Sequence, residues 1–139
     1  MTNDELAKLF RPGSVHKRLY TDKDIFDLEM NRIYGQAWIY VGHESQVPRP
    51  GDYHATRIGD QDVLMVRASD GQVNVLYNRC PHKGAKLVTE GDGCAGKFFR
   101  CPYHAWTFKL DGTHMSLPLR AGLEGTCYSA DNPDFSMKR

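Results

Sequence analysis

Four residues whose types and spacing can do chemistry lie between positions 80 and 104. Cys80-Pro81-His82-Lys83-Gly84 and Cys101-Pro102-Tyr103-His104-Ala105-Trp106 each bring one thiol and one imidazole together, as C-x-H and C-x-x-H. A two-iron, two-sulfide centre needs two terminal ligands on each iron, and four thiolates are the common solution. Placing two histidines on one iron exchanges anionic ligands for neutral ones, makes the centre less negative and raises its potential. Two matching loops suit such a [2Fe-2S] centre, because each gives its cysteine to one iron and its histidine to the other. Cys80 and Cys101 are therefore assigned to an inner iron, and His82 and His104 to an outer one. A structural zinc is the competing reading of a Cys2His2 set, but zinc modules group like ligands in C-x2–4-C and H-x3–5-H pairs. Here each loop mixes the two types, a Pro follows each Cys, and Gly84 stands two residues past the first His.

The rest of the chain supplies the elements that must hold these loops. Asn3 to Phe10 reads as a short helix capped by Thr2 or Asn3, with Leu6, Leu9 and Phe10 on one side, and Pro12-Gly13 breaks it. A second helix is expected from Thr21, with Asp22 and Asp24 on the positive end of its dipole, Ile25, Leu28 and Arg32 at helical spacing, and Gly35 as its end. From Trp38 the pattern changes to short β-type runs between turn residues: Trp38 to Val41, Tyr53 to Ile58, Asp62 to Arg67, Gln72 to Tyr77, Lys97 to Arg100 and Trp106 to Leu110. Val73, Val75 and Tyr77 share one face of the fourth run. Arg49-Pro50-Gly51-Asp52, Gly59-Asp60, Ser69-Asp70-Gly71 and Asp111-Gly112 are the turns, the last a hairpin signal. The fold class is mainly β, a small antiparallel sandwich or barrel with a short helical N-terminal arm. A hairpin tip is exposed and its stem rigid, so two such tips can grip a cluster and leave its histidine edge near solvent.

At 139 residues the chain can bury one modest core. A quarter of it is charged with a net charge of +1, so electrostatics make no case for nucleic acid or an acidic membrane surface as partner. No apolar run is long enough to span a bilayer, and Met1 to Phe10 lacks the apolar centre of a signal peptide, so a cytoplasmic location is expected. In that compartment Cys94 and Cys127 are expected as free thiols. His16, His43, His54 and His114 read as ordinary surface or core histidines, Lys83 and Lys86 as solvated flank charges, and Asp52 and Asp111 as turn residues.

CPHKGA and CPYHAWTF resemble the cluster loops of Rieske proteins, in particular those of the large (alpha) subunit of bacterial aromatic-ring-hydroxylating oxygenases. Ala37-Trp38-Ile39-Tyr40-Val41-Gly42-His43-Glu44, Pro50-Gly51-Asp52-Tyr53, Asn78-Arg79 and Leu110-Asp111-Gly112 are similar to the same family. The resemblance covers roughly residues 25 to 120. It implies an N-terminal arm over 1–36, a Rieske-type domain over 37–120 with both ligand loops at one end of the sheet, and a connector over 121–139. Ala105 departs from the glycine that many members carry; Ala is tolerated there if the backbone keeps a negative φ. Gly84, Tyr103 and Trp106 are expected beside the ligands; Trp106 is either a core aromatic or a cover that keeps water from the cluster.

The resemblance also implies a role. A Rieske portion relays single electrons from a ferredoxin or flavin reductase to a mononuclear Fe(II), in the breakdown of aromatic hydrocarbons. That iron is held by two histidines and a carboxylate. No such triad is present, so this iron is expected only on another domain or subunit. In the full-length family the arm packs on that catalytic domain, so Ile25, Leu28, Ile33 and Tyr34 are expected to form a surface for association, with another copy or with a partner subunit. High-potential respiratory Rieske proteins carry a disulfide in these loops and a Ser and a Tyr donating to the cluster sulfurs. Ala85 and Tyr103 stand at the disulfide positions here and Trp106 at that of the Ser, which implies a low potential. Loss of protons from the ligating imidazoles on oxidation would make that potential fall with pH. A stand-alone Rieske ferredoxin is the alternative function.

Overall fold

A computed structural model describes every residue except Glu90, Cys127 and Ala130. The expectation of a free thiol at Cys127 therefore lies outside the described residues. The chain divides into two units, Met1–Tyr40 and Val41–Arg139.

In the first unit, α1 (Asn3–Ala7) begins at Thr2, whose hydroxyl accepts from the Glu5 N–H while the Glu5 carboxylate accepts from the Thr2 N–H. This reciprocal arrangement satisfies two of the donors that a helix start leaves free. The helix stops earlier than expected. Phe10–Arg11 (β1) and Ser14–Val15 (β2) pair as a hairpin around Pro12-Gly13, so Phe10 serves a strand because the turn brings it a partner. Arg18–Thr21 (α2) and Lys23–Glu29 (α3) follow, with Asp22 rather than Thr21 as the cap of α3: its carboxylate accepts from the Asp24 N–H. A wide π turn, Met30–Tyr34, ends at Gly35. Of the four residues expected to form a surface for association, Ile25 is buried and Leu28 half-buried, whereas Ile33 and Tyr34 are exposed, as is Phe26.

The second unit holds two antiparallel sheets. In one the strand order is β5-β4-β3-β6, from Asp52–Ile58 (β3), Gln61–Arg67 (β4), Val73–Tyr77 (β5) and Asp92–Cys94 (β6). In the other, Phe98–Arg100 (β7), Thr107–Lys109 (β8) and His114–Ser116 (β9) pair in sequence order. Leu64, Val66 and Leu76 of the first sheet and Phe99 and Phe108 of the second share one core with Leu110 and Met137, the two-layer solution by which apolar sheet faces leave water. Gly59-Asp60 joins β3 to β4, with Ile58 opposite Gln61, and Asp111-Gly112 joins β8 to β9, both as expected.

One expected strand is absent, two unforeseen ones form, and two expectations are extended. Trp38 to Val41 is no strand: Trp38 and Tyr40 are exposed, and no β partner among the described residues is supplied to them. In β5 the fully buried residue is Leu76, on the face opposite Val73, Val75 and Tyr77, because that face meets the second sheet. Strands β6 and β9 carry no apolar alternation and owe their existence to pairing with β3 and β8. Asp52 is more than a turn residue: it is buried, and its carboxylate accepts from the Arg49 N–H and Nε, both at 3.1 Å.

Candidate metal centre

The first loop leaves β5 at Cys80 and the second connects β7 to β8. Their backbones repeat one another. Gly84 N–H donates to the Cys80 carbonyl at 2.9 Å and Ala105 N–H to that of Cys101 at 3.0 Å; Cys80 N–H donates to Ala85 at 2.8 Å and Cys101 N–H to Trp106 at 2.8 Å. In each loop the residue four past the cysteine turns the chain with a left-handed backbone, φ +74° at Gly84 and +56° at Ala105. The condition of a negative φ at Ala105 is not met: the closing hydrogen bond demands the left-handed conformation, and Ala105 carries the side-chain strain that Gly84 avoids.

Within this frame the four donors separate by kind. Cys80 and Cys101 are buried side by side, while His82 and His104 are exposed with ring centroids 4.8 Å apart, edge to face. Burial, reinforced by the adjoining Cys101 sulfur, pushes the Cys80 thiol up to about 11, against the backbone N–H groups of His82 and Lys83 that point at it. Two thiols this close cannot both ionise without a cation between them, while N–H groups aimed at a sulfur favour its thiolate. Desolvation, then the charges of His104 and Lys83, holds His82 below the ordinary imidazole range, in the neutral form a metal requires. Among the described residues no three His, Cys, Asp or Glu side chains are gathered closely enough for a single ion. The donors stand instead as a thiol pair and an imidazole pair, a set that fits two metals with two protein ligands each.

Aromatic rings surround the imidazoles. Trp106 stacks on His82 with centroids 4.9 Å apart and planes 7° from parallel, and the same side chain packs against the core. The core reading of Trp106 holds, and its ring also lies on one of the expected ligands. The Tyr103 ring lies 3.7 Å from that of His104 and is itself exposed. Two residues were not legible as part of this neighbourhood. His114 is buried with its ring edge-on to Trp106 at 5.1 Å, and Phe135 meets Trp106 at 5.7 Å; neither sits in a motif, and β9 and the C-terminal segment bring them in. His54 pairs with Asp92 across β3 and β6, His43 Nδ1 meets the Ser45 hydroxyl, and the His16 ring accepts from the Arg18 N–H. Lys83 is exposed, whereas Lys86 pairs with Asp62 at 2.9 Å.

The family model of the Rieske [2Fe-2S] domain matches residues 37–126. The chain belongs to this family. Among its curated relatives, the alpha subunit of chlorobenzene dioxygenase from Cupriavidus sp. (strain PS12) is 38% identical over 119 residues, covering 84% of this chain and 26% of that protein. The large oxygenase component of salicylate 5-hydroxylase from Ralstonia sp. is 42% identical over 118 residues, 81% of this chain and 28% of the relative. Among solved structures, naphthalene 1,2-dioxygenase from Rhodococcus sp. bound to indole superposes with a TM-score of 0.80 at 28% identity, covering 98% of this chain and 30% of that one. A quaternary ammonium Rieske monooxygenase gives 0.78 at 34% identity, over 88% and 33%. The Rieske chain described here thus spans about a quarter to a third of the proteins it matches.

Proposed function

We propose that Cys80 and Cys101 hold one iron and His82 and His104 the other iron of a [2Fe-2S] centre, and that this Rieske domain is the electron relay of an aromatic-ring-hydroxylating dioxygenase alpha subunit. The observation that carries the proposal is the segregation of a buried thiol pair from an exposed imidazole pair. Bound there, the centre supplies a one-electron couple. The chain's own side chains do the rest. The buried cysteines anchor its inner end, the exposed imidazoles present its outer end to a partner, Trp106 covers one face of His82 against water, and Tyr103 lies against His104. Gly84 lets the first loop close without strain.

The domain limits that accompany this reading are an arm over 1–36, the Rieske domain over 37–120 and a connector over 121–139. Electrons come from a ferredoxin or flavin reductase and pass to a mononuclear Fe(II) on a catalytic domain or subunit, where an aromatic compound is hydroxylated. That the relatives named above are oxygenase components supports this reading over a free-standing ferredoxin. No helix among the described residues is long and apolar enough to cross a membrane; the location we assign is the cytoplasm, where two ligand thiols stay reduced. Exposed Phe26, Ile33 and Tyr34 on the arm are assigned to association, with another copy or with a partner subunit. A stable monomer by sedimentation at high concentration would speak against self-association.

Iron and sulfide analysis with EPR of the reduced protein tests the centre itself. Equimolar iron and labile sulfide with a Rieske-type signal is expected, and colourless zinc-loaded protein removes the assignment. Adding a catalytic-domain chain then separates the two functions: restored turnover identifies an oxygenase component, and its absence alongside ready exchange of electrons identifies a carrier.

A further inference from the structure

The two ligand loops have the same backbone but different supports. The second is closed by strand pairing, with Arg100 opposite Thr107 in the ladder of β7 and β8. The first has β5 on its way in, but its return limb, residues 85–89, forms no strand. A loop tip without a ladder behind it has little to hold it shut.

One side chain stands where the ladder is missing. Asn78 follows β5 by one residue and is 4% exposed. Its Oδ1 accepts from the N–H groups of both Leu87 and Val88, at 3.0 and 3.2 Å, and its Nδ2 donates to the Val88 carbonyl at 2.8 Å. A primary amide offers a carbonyl and an N–H in one plane, as a backbone peptide does, so it can serve a passing segment as a strand neighbour would. Asn78 is held in turn by its own N–H, which donates to the Asp62 carbonyl of β4 at 2.9 Å. Residues 85–88 also carry the Ala85 carbonyl that receives the Cys80 N–H. The chain of support thus runs from β4 through Asn78 to the return limb, and from there back to Cys80.

We infer that Asn78 is a positioning residue for the first ligand loop, its amide replacing the strand partner that residues 87 and 88 lack, so that Cys80 and His82 are presented in register with Cys101 and His104. The role in cluster binding rests on the ligand assignment proposed above; the clamp itself does not. Removal of Asn78 takes the partner from a buried N–H at Leu87 and from the half-buried N–H and carbonyl of Val88, all on one limb of one loop, and the effect is local.

Hydrogen exchange read by mass spectrometry on the cluster-loaded protein tests this. In Asn78→Ala, exchange over residues 80–88 accelerates by at least about tenfold while residues 98–107, the second loop, stay within about twofold of the parent. The same variant releases iron to a chelator faster by a similar factor, and its reduced EPR signal changes shape. Asn78→Asp keeps the acceptor for both N–H groups but turns the donor to Val88 into an oxygen facing its carbonyl, so its acceleration is again confined to the same segment; it carries the test should the alanine variant not accumulate folded. Equal acceleration in both loops, or none in residues 80–88, overturns the inference. If the parent holds no iron but exchange still opens only the first loop, the clamp stands and the ligand assignment falls. If iron is present and exchange does not respond, the clamp alone falls.

Discussion

Gly84 and Ala105 occupy equivalent places in two loops and share a left-handed backbone, yet only one of them is built for it. A Cβ on Gly84 would meet nothing nearer than Arg79 Cδ at 3.9 Å, so space is not what keeps glycine there; backbone conformation is. Gly84→Ala is therefore expected to lower stability by about 1 kcal/mol, the cost of a Cβ in this region less the loss of chain freedom in the unfolded state. Ala105→Gly runs the other way, by up to about 1 kcal/mol. Denaturant midpoints of the two variants check both signs, and shifts of the same sign would contradict the shared geometry. The ligand residues make a sharper prediction. Replacing His82 or His104 by Cys puts a third thiolate on the centre and should move the EPR signal toward that of an all-cysteine ferredoxin, or abolish the centre. An unchanged spectrum removes that histidine from the ligand set.

Among the elements, the entry to β3 depends on the pair made by Arg49 and Asp52. The Arg49 guanidinium beside it holds the Asp52 carboxyl below its ordinary value of 3.8, helped by the Arg49 N–H and the Cys94 thiol. Since Asp52 also faces Cys94 in the pairing of β3 with β6, one carboxylate joins a turn to the edge strand of its sheet. The folded pKa lies below the unfolded one, so the contribution is complete above the unfolded value and disappears as pH falls through the folded value. Asp52→Asn should thus lower the urea midpoint by a constant amount from about pH 5 to about pH 8, and the gap to the parent should close below about pH 4. A gap that persists in acid would mean that charge is not what the carboxylate contributes.

For the whole molecule, the quantity that matters is the potential of the assembled centre. By the resemblance of the loops, Ala85 and Tyr103 stand at the disulfide positions of high-potential respiratory Rieske proteins and Trp106 at that of their serine donor, and Trp106 offers no hydroxyl. Without such donors the oxidised form is relatively favoured, which points to a value near the roughly −150 mV end of the Rieske range. A potentiometric titration followed by EPR measures it, and a midpoint above zero would refute the argument.

What the sequence determined by itself is the chemistry and much of the frame. Mixed Cys/His pairs, each cysteine followed by proline, are legible because a metal site demands particular atoms at short spacing, and local motifs carry that information. Most of the strands around the loops are legible for the same reason, since alternation and turn residues are properties of neighbours in the chain. The tertiary structure decided the rest. Trp38 to Tyr40 has the side chains of a strand but no partner, while β6 and β9 have partners without the side chains, because a ladder is completed by backbone groups from elsewhere. The burial of Leu76, the ring of His114 against Trp106 and the hold of Asn78 on residues 87 and 88 were likewise set by separate segments arriving in register. None of these contacts has a spacing along the chain, so no pattern in the sequence records it.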